Sequence, residues 1–454
     1  MTHVWGVSAT ALATFEVLRF ARRFFARIGQ EMGWEAYWIA QSIASGNGFS
    51  FSDHRWLFNV VGDGNYYPTA WADPLYTYLL SGMVAISGQH HVYLAGAFNA
   101  VCLLVLLFLS YRLGRRILTP AAGALCVLLL VMVSAHRQVL FMNNTGLSAC
   151  LILVSALVLT RFLERPSTGM AYALGGALGL TVLASPGALL FLPVTAVVLL
   201  YAATQQRRVS IPQALVPAVV AALVISPWTL RNQFVFDEFV PVRNGAGSLA
   251  FIGTVAAGGT IAPETVVSET RPPWQVERPR DVVKRWAYQP DRRALEEFQM
   301  EYAAEVGGSD YEAMNEAQRD GWLMQEAKRY VRANPGLAAQ MGVWKLERFV
   351  GILKKTGTAV FVLAVLGGLL SLRQKNIAAI ILAGWAATYV APFAIMICYF
   401  SRYRFPIEPI LVVLCALTLH VAVQALHVRF GGSLPILRGL AATKNTAPPQ
   451  VTDT

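Results

Sequence analysis

Long apolar runs, each closed by a few basic or turn-forming residues, repeat along this sequence from Val92 to Leu426. Crossing a bilayer core of about 30 Å takes roughly 20 apolar residues in a helix, and in lipid the backbone is satisfied only within helices or closed barrels. The pattern predicts membrane-spanning helices over Val92–Leu113, Pro120–Ala135, Val139–Thr160, Ile211–Leu230, Gly357–Leu372, Ile377–Phe400 and Phe405–Leu426. Met170–Ala184 and Gly187–Ala203 read as two shorter spans broken at Ser185-Pro186-Gly187, because proline cannot continue a helix ladder. The segment from Trp71 to Gly88 is short and begins with Asp73-Pro74, so it reads as an interfacial or re-entrant helix.

Charge gives these helices a direction. Arg112, Arg115 and Arg116 close one run, Arg161 and Arg165 another, Arg207 and Arg208 a third, Arg373 and Lys375 a fourth. Short basic loops stay in the cytoplasm, so the intervening loops face outward. The predicted organisation is a transmembrane module over 1–230 with a first outer loop at 27–91, an outer soluble insert at 231–355, transmembrane helices at 356–426 and a cytoplasmic tail, expected to be disordered, at 427–454. Glu, Arg and Ala between Arg280 and Lys355 suggest helices in the insert, separated at Gly307-Gly308 and Asn334-Pro335. One stretch resists this map: Arg19, Arg22, Arg23 and Arg27 end the first apolar run on the outer side. That run reads either as a span whose arginines snorkel to headgroups or as a helix lying along the membrane. It has no cleavage-site pattern and is expected to remain as an anchor.

Composition agrees with the class. The 454 residues are 55% hydrophobic and only 14% charged, with a mean hydropathy of +0.48, which excludes an ordinary soluble domain. The net charge of +11 sits beside apolar runs, so lipid headgroups are the expected contact, and nucleic acid is not. Cys102, Cys126, Cys150, Cys398 and Cys415 lie within apolar runs, and neither disulfides nor a metal site are expected from them. His90-His91 lacks metal-ligand spacing, and no nucleotide-binding loop or nucleophile elbow occurs in a suitable context. Asn143-Asn144-Thr145 fits a glycosylation sequon at the membrane edge.

The candidate chemistry lies on the outer side. Arg402 and Arg404 flank Tyr403 at the mouth of the last span, where the charge rule disfavours them, and an anionic ligand such as a lipid phosphate is the simplest reason for them. Arg231 and Arg243 leave the membrane on the same side and read as phosphate or sugar ligands or as anchors. Glu31 and Glu35 are one helical turn apart beside an apolar stripe of Met32, Ala36, Ile39 and Ile43; they read as a solvated face or, next to Trp34 and Trp38, as carboxylates suited to general-base work.

Five stretches together resemble the GT-C membrane glycosyltransferases, in particular bacterial relatives of the protein O-mannosyltransferases of family 39 and of the lipid A aminoarabinose transferases. They are Trp34 to Ser50, Pro68 to Tyr76, Tyr111 to Arg116, Ser226 to Asn232 and Arg402 to Pro406. The resemblance implies an all-α polytopic fold of the GT-C type, with about 9–11 transmembrane helices, interfacial helices in the first outer loop and a small outer helical domain. It implies inverting transfer of a sugar from a polyprenyl-phosphate carrier to a lipid, glycan or protein acceptor on the outer side, in a bacterial inner membrane with the site facing the periplasm. Glu35 then stands at the family's acidic position as base, with Glu31 one turn earlier; the family's Asp-Glu pair is Glu35-Ala36 here. Arg402, Arg404, Arg231 and Arg243 would hold the donor phosphate, since the lysine common in relatives is replaced by Ser185-Pro186. Trp34, Trp38, Asp73 and Tyr76 would line the cleft. No metal ligands are assigned, and the resemblance leaves room for a divalent cation. The rival readings are a flippase or transporter of a lipid-linked saccharide, which would show an inverted repeat not seen here, and a non-catalytic partner with the same fold.

Overall fold

The computed structural model describes residues 2–26, 35–51, 65–140, 143–205, 209–256, 299, 301–351, 354–396 and 403–429. Helices α1 (Thr2–Phe25) and α2 (Glu35–Ala44) are followed by a short antiparallel ribbon, β1 (Ser50–Phe51) against β2 (Tyr67–Pro68), with Ser50 opposite Pro68 and Phe51 opposite Tyr67. The chain continues through α3 (Pro74–Ser87), α4 (His91–Ile117), α5 (Pro120–Met132), α6 (Ala135–Gln138), α7 (Thr145–Glu164), α8 (Thr168–Ala184), α9 (Phe191–Gln205) and α10 (Ile211–Phe236). Next come α11 (Ala246–Phe251), α12 (Gly308–Ala313), α13 (Glu316–Ala333), α14 (Pro335–Gly351), α15 (Lys354–Arg373), α16 (Ile377–Val390) and α17 (Glu408–Arg429). Seven helical stretches among the described residues are long and apolar enough to cross a membrane, and α5, α8 and the segment Ala246–Val255 are shorter apolar helices. The protein is an all-α polytopic membrane protein.

Two features explain how the spans are arranged. Gly175 of α8 packs on Pro217 and Val220 of α10, and Gly179 packs on Ala221 and Val224. The contacts advance in step, so α8 and α10 run in the same direction and α9 must return between them. The break at Ser185 therefore separates two passes. Likewise Gly6 of α1 lies by Tyr111 of α4 while Phe24 covers Gly96, so α1 lies antiparallel along most of α4. At 24 residues it is about 36 Å long. Its awkward charge is paired: buried Glu16 accepts from Arg19 at 3.0 Å and from both the backbone N–H and Nδ1 of His136, at 2.9 and 2.7 Å.

The boundaries differ from the hydropathy reading in several places: α10 runs on past Leu230 to Phe236, and α16 ends at Val390, before a 3-10 turn at Ala391–Ala394. The span expected from Val139 begins at Thr145, because the chain turns first: Ser134 is left-handed (φ 62°), and the buried Asn143 side chain accepts from the Thr145 N–H at 3.0 Å. The burial of Asn143 also argues against the sequon as a glycan acceptor.

The expectation for Arg404 needs correction. Its side chain is completely buried, with Nε and Nη2 donating to Glu408 at 2.8 and 3.2 Å. Nη1 donates to the carbonyls of Phe349 (3.3 Å) and Val350 (2.5 Å), and Nη2 also to Gly357 (2.6 Å). Every N–H of the guanidinium fork has an acceptor. Arg404 ties the end of α14 to the starts of α15 and α17 and has no donor left for a phosphate.

The segment from Ala246 to Val255 and helices α13 and α14 share a small core of their own, in which Phe251, Ile252 and Val255 meet Leu323, Tyr330 and Met341. Beside it Lys345 is buried, its Nζ donating to Gly253 O at 2.9 Å and Ile395 O at 2.6 Å. Burial pushes this amine down to about 7; a neutral amine has two N–H groups, and both carbonyls are served.

Two predictions follow from these contacts. Arg404→Met strands Glu408 and three carbonyls and is expected to lower stability by about 3–5 kcal/mol in thermal unfolding in detergent, with Arg404→Lys failing to restore it because a compact ammonium cannot replace the fork. For Lys345 the folded state binds fewer protons than the unfolded chain between pH 7 and the ordinary lysine value of 10.5. Stability therefore rises with pH through that window, by up to about 1.4 kcal/mol per unit, and is flat below it; melts at several pH values should show this slope in the parent and lose it in Lys345→Met.

Candidate functional site

A cavity of about 460 Å³ opens where α2, α3, the start of α7, the break after α8 and the outer segments converge. Glu35 and Ala36 from the first turn of α2 form one side, and Trp71, Ala72, Asp73 and Tyr76 the next. Asn143, Asn144 and the Ser185–Gly187 break form the floor, Arg243 to Ala246 the outer wall, and Tyr389, Phe393, Met396, Tyr403 and Pro406 the far side. Aromatic walls with a few polar groups suit a ligand that is part apolar and part charged.

The polar groups are held by local chemistry. Asp73 occupies the N-cap position of α3, ahead of Pro74, yet its side chain makes no capping hydrogen bond. Instead Oδ1 faces Nη1 of Arg243 at 3.4 Å. Charge-assisted pairs usually close to about 2.7–2.9 Å, so this pair is loose. Arg243 also donates from Nε to Asn244 O at 3.3 Å and lies 5.7 Å over the Trp71 ring, while its Nη2 has no partner among the described residues. At the floor, the carbonyl of Ala184 freed by the break accepts from Asn144 Nδ2 at 2.8 Å and Ser148 Oγ at 2.9 Å.

The C-terminal end of α10 braces this arrangement. Arg231 donates to Thr69 O at 2.8 Å and Phe49 O at 3.0 Å and is covered by the Trp228, Phe49 and Phe236 rings. Asn232 donates to Val240 O and Val242 O, Thr229 to Pro241 O and Trp228 to Val242 O. The Trp228-Thr229-Leu230-Arg231-Asn232 motif thus pins the chain on both sides of the cavity. It contributes no residue to the cavity lining.

Of the residues expected from sequence, the cavity brings together Glu35, Asp73, Tyr76 and Arg243. Arg231 and Arg404 face away from it and serve backbone carbonyls. Trp38 is exposed beside Phe51 and is not in the lining. Glu31, Trp34 and Arg402 lie outside the described residues. The sequence reading missed Glu316 on α13. Its half-buried carboxylate accepts from Thr69 Oγ1 at 2.6 Å, Ala70 N at 2.9 Å and Asn244 Nδ2 at 2.9 Å; desolvation pushes its pKa up and these donors oppose that. The Asn315…Gln318 capping box marks where α13 starts, but nothing near it in sequence names partners at 69 and 244. Among the described residues no group of three or more His, Cys, Asp or Glu could hold a metal ion. The two carboxylates lining the cavity are Glu35 and Asp73, the latter paired with Arg243.

Residues 70–230, well under half of the chain, match the family of dolichyl-phosphate-mannose-protein mannosyltransferases. No curated protein sequence is similar to the chain. Among solved structures, the Archaeoglobus fulgidus oligosaccharyltransferase in the apo form matches with a TM-score of 0.51 and 13% identity, over 96% of this chain and 52% of that one. Archaeal AglB from the same organism, in complex with an inhibitory peptide and a dolichol-phosphate, matches at 0.50 and 12%, over 93% and 51%. ArnT from Cupriavidus metallidurans bound to undecaprenyl phosphate gives 0.35 and 16%, over 95% and 81%. The chain spans about half the length of the oligosaccharyltransferase, and at these identities the likeness is one of fold. The protein has the helical membrane fold of the GT-C glycosyltransferases, with a mannosyltransferase-family sequence match confined to residues 70–230.

Proposed function

We propose that this protein transfers a sugar from a polyprenyl-phosphate carrier to an acceptor at the outer face of the membrane, with inversion at the anomeric carbon. The observation that carries the reading is Arg243, a guanidinium on the cavity wall, loosely paired with Asp73, with Nη2 unpartnered among the described residues and Glu35 in the same lining. The dolichyl-phosphate-mannose family match over 70–230 supports the class of donor.

In this mechanism the acceptor hydroxyl or amine attacks the anomeric carbon and forms the new glycosidic bond as the bond to the phosphate oxygen breaks. The electron pair leaves with the polyprenyl phosphate, which is a good leaving group without protonation. Arg243 stabilises the charge growing on that phosphate, and a preorganised cation in a partly dry site is effective there. Asp73 keeps Arg243 oriented. Glu35, at the open first turn of α2, takes the acceptor proton. Tyr76, Tyr389 and Trp71 supply apolar faces for the sugar and the first prenyl unit. The outer helices are the surface from which an acceptor approaches. The bacterial inner membrane, with the cavity facing the periplasm, is the compartment this reading implies.

Activity in proteoliposomes with a polyprenyl-phosphate sugar tests it. Glu35→Gln is expected to lower kcat by about 10²–10⁴-fold with donor KM little changed. Arg243→Ala is expected to weaken donor binding by about tenfold or more, with Arg243→Lys recovering only part of it. Full activity in Glu35→Gln would exclude this base. Scrambling of labelled lipid-linked sugar across the bilayer without transfer would favour a flippase.

A further inference from the structure

Two carboxylates outside the cavity, Glu316 half-buried and Asp320 buried, have no role in the mechanism above, and they lie one turn apart on the same helix. Glu316 and Asp320 both project from α13 towards the cavity wall, each gripping backbone donors of a different strand of chain. Glu316 takes the Ala70 N–H and the Thr69 hydroxyl, three and four residues before Asp73, and also Asn244 Nδ2. Asp320 takes the Ser248 N–H at 2.9 Å and interacts with the backbone of Gly245 and Gly247, just after Arg243. The two grips are linked directly, since Asn244 N donates to Ala70 O at 3.0 Å.

The glycines of the second segment fit this contact and no other residue would. Gly245 has φ +104°, and a Cβ there would meet the Trp71 ring at 2.8 Å; a Cβ on Gly247 would lie 1.8 Å from the Asp320 carbonyl oxygen. The segment that carries Arg243 is therefore sandwiched between a cavity-lining ring and the helix that bears both carboxylates.

We infer that Glu316 and Asp320 are the positioning residues of the site: α13 sets the Asp73 to Arg243 separation by holding the backbone on either side of that pair. The outer helices are then more than a surface for the acceptor. They determine how far Arg243 is committed to Asp73 and how much of it faces a phosphate. This inference rests on the proposed role of Arg243 only for its functional consequence; the positioning itself is a matter of backbone contacts.

Two readouts separate those parts. Hydrogen exchange reports the grip directly: Glu316→Ala is expected to lose amide protection at Ala70, and Asp320→Ala at Ser248, whatever the protein binds. Quenching of Trp71 fluorescence by an undecaprenyl phosphate in nanodiscs, read against a Trp71→Phe control, reports the consequence. Affinity should fall about tenfold in Glu316→Ala and should not fall further when Glu316→Ala is added to Arg243→Ala. Glu316→Gln is expected to bind within about threefold of the parent, because its amide oxygen still accepts from Ala70 and Asn244 while its NH₂ donates to the Thr69 hydroxyl. If Glu316→Ala does not fold, Thr69→Val and Asn244→Ala each remove one contact and carry the same expectation at reduced size. Unchanged exchange in these variants would overturn the positioning. A Glu316→Gln as impaired as Glu316→Ala, with normal exchange, would overturn it in favour of a direct role for the charge. Lost protection in a protein whose parent does not bind the phosphate would uphold the positioning and reject the donor.

Discussion

The architecture around the cavity depends on one constraint: where the chain leaves the bundle, its backbone carbonyls need partners close to lipid, where water is scarce. Arg231 meets that need for two separate loops at once. Its planar fork reaches Phe49 O and Thr69 O, and three aromatic rings shield it from competing solvent. A lysine has no comparable geometry, because one ammonium cannot span both acceptors along a fixed plane. With Asn232, Thr229 and Trp228 binding the returning chain at 240–242, the end of a single helix becomes the frame on which α3 and the Arg243 segment are hung.

The same economy recurs at Arg404 and Lys345. Both are basic side chains, both are buried, and both donate to backbone carbonyls at or near helix ends. Buried basic residues call for a reason, and at Arg404 and Lys345 the reason is structural. Arg243 is the one basic residue among the described residues lining the cavity, and there its Nη2 has no partner.

The helical class and the break at Ser185 were legible in the apolar runs, since span length and a proline are local signals. Two passes between the basic residues at Arg165 and Arg207 put α8 and α10 in the same direction, and the contacts of Gly175 and Gly179 with α10 run accordingly. Arg404 was misread because the rule that flags outer arginines is blind to a buried acid four residues later; Glu408 was visible, but its burial was not. Asp73 and Tyr76 were found through a short motif, whereas Glu316 was missed because its three donors come from residues 69, 70 and 244, and no periodicity encodes a contact across that separation. Arg19 looked anomalous for a related reason: Glu16, its partner, sits within an otherwise apolar stretch and is completed by His136.

The floor of the cavity is built from a break that contains proline and glycine. Pro186 has no N–H, Gly187 has no side chain, and the carbonyl of Ala184 is already occupied by Asn144 and Ser148. That surface offers little to a charge, whereas Glu35, Asp73 and Arg243 line other parts of the same cavity. An amphiphilic molecule entering it meets its charged partners away from Pro186 and Gly187, and the break is left to whichever part of the molecule carries no charge.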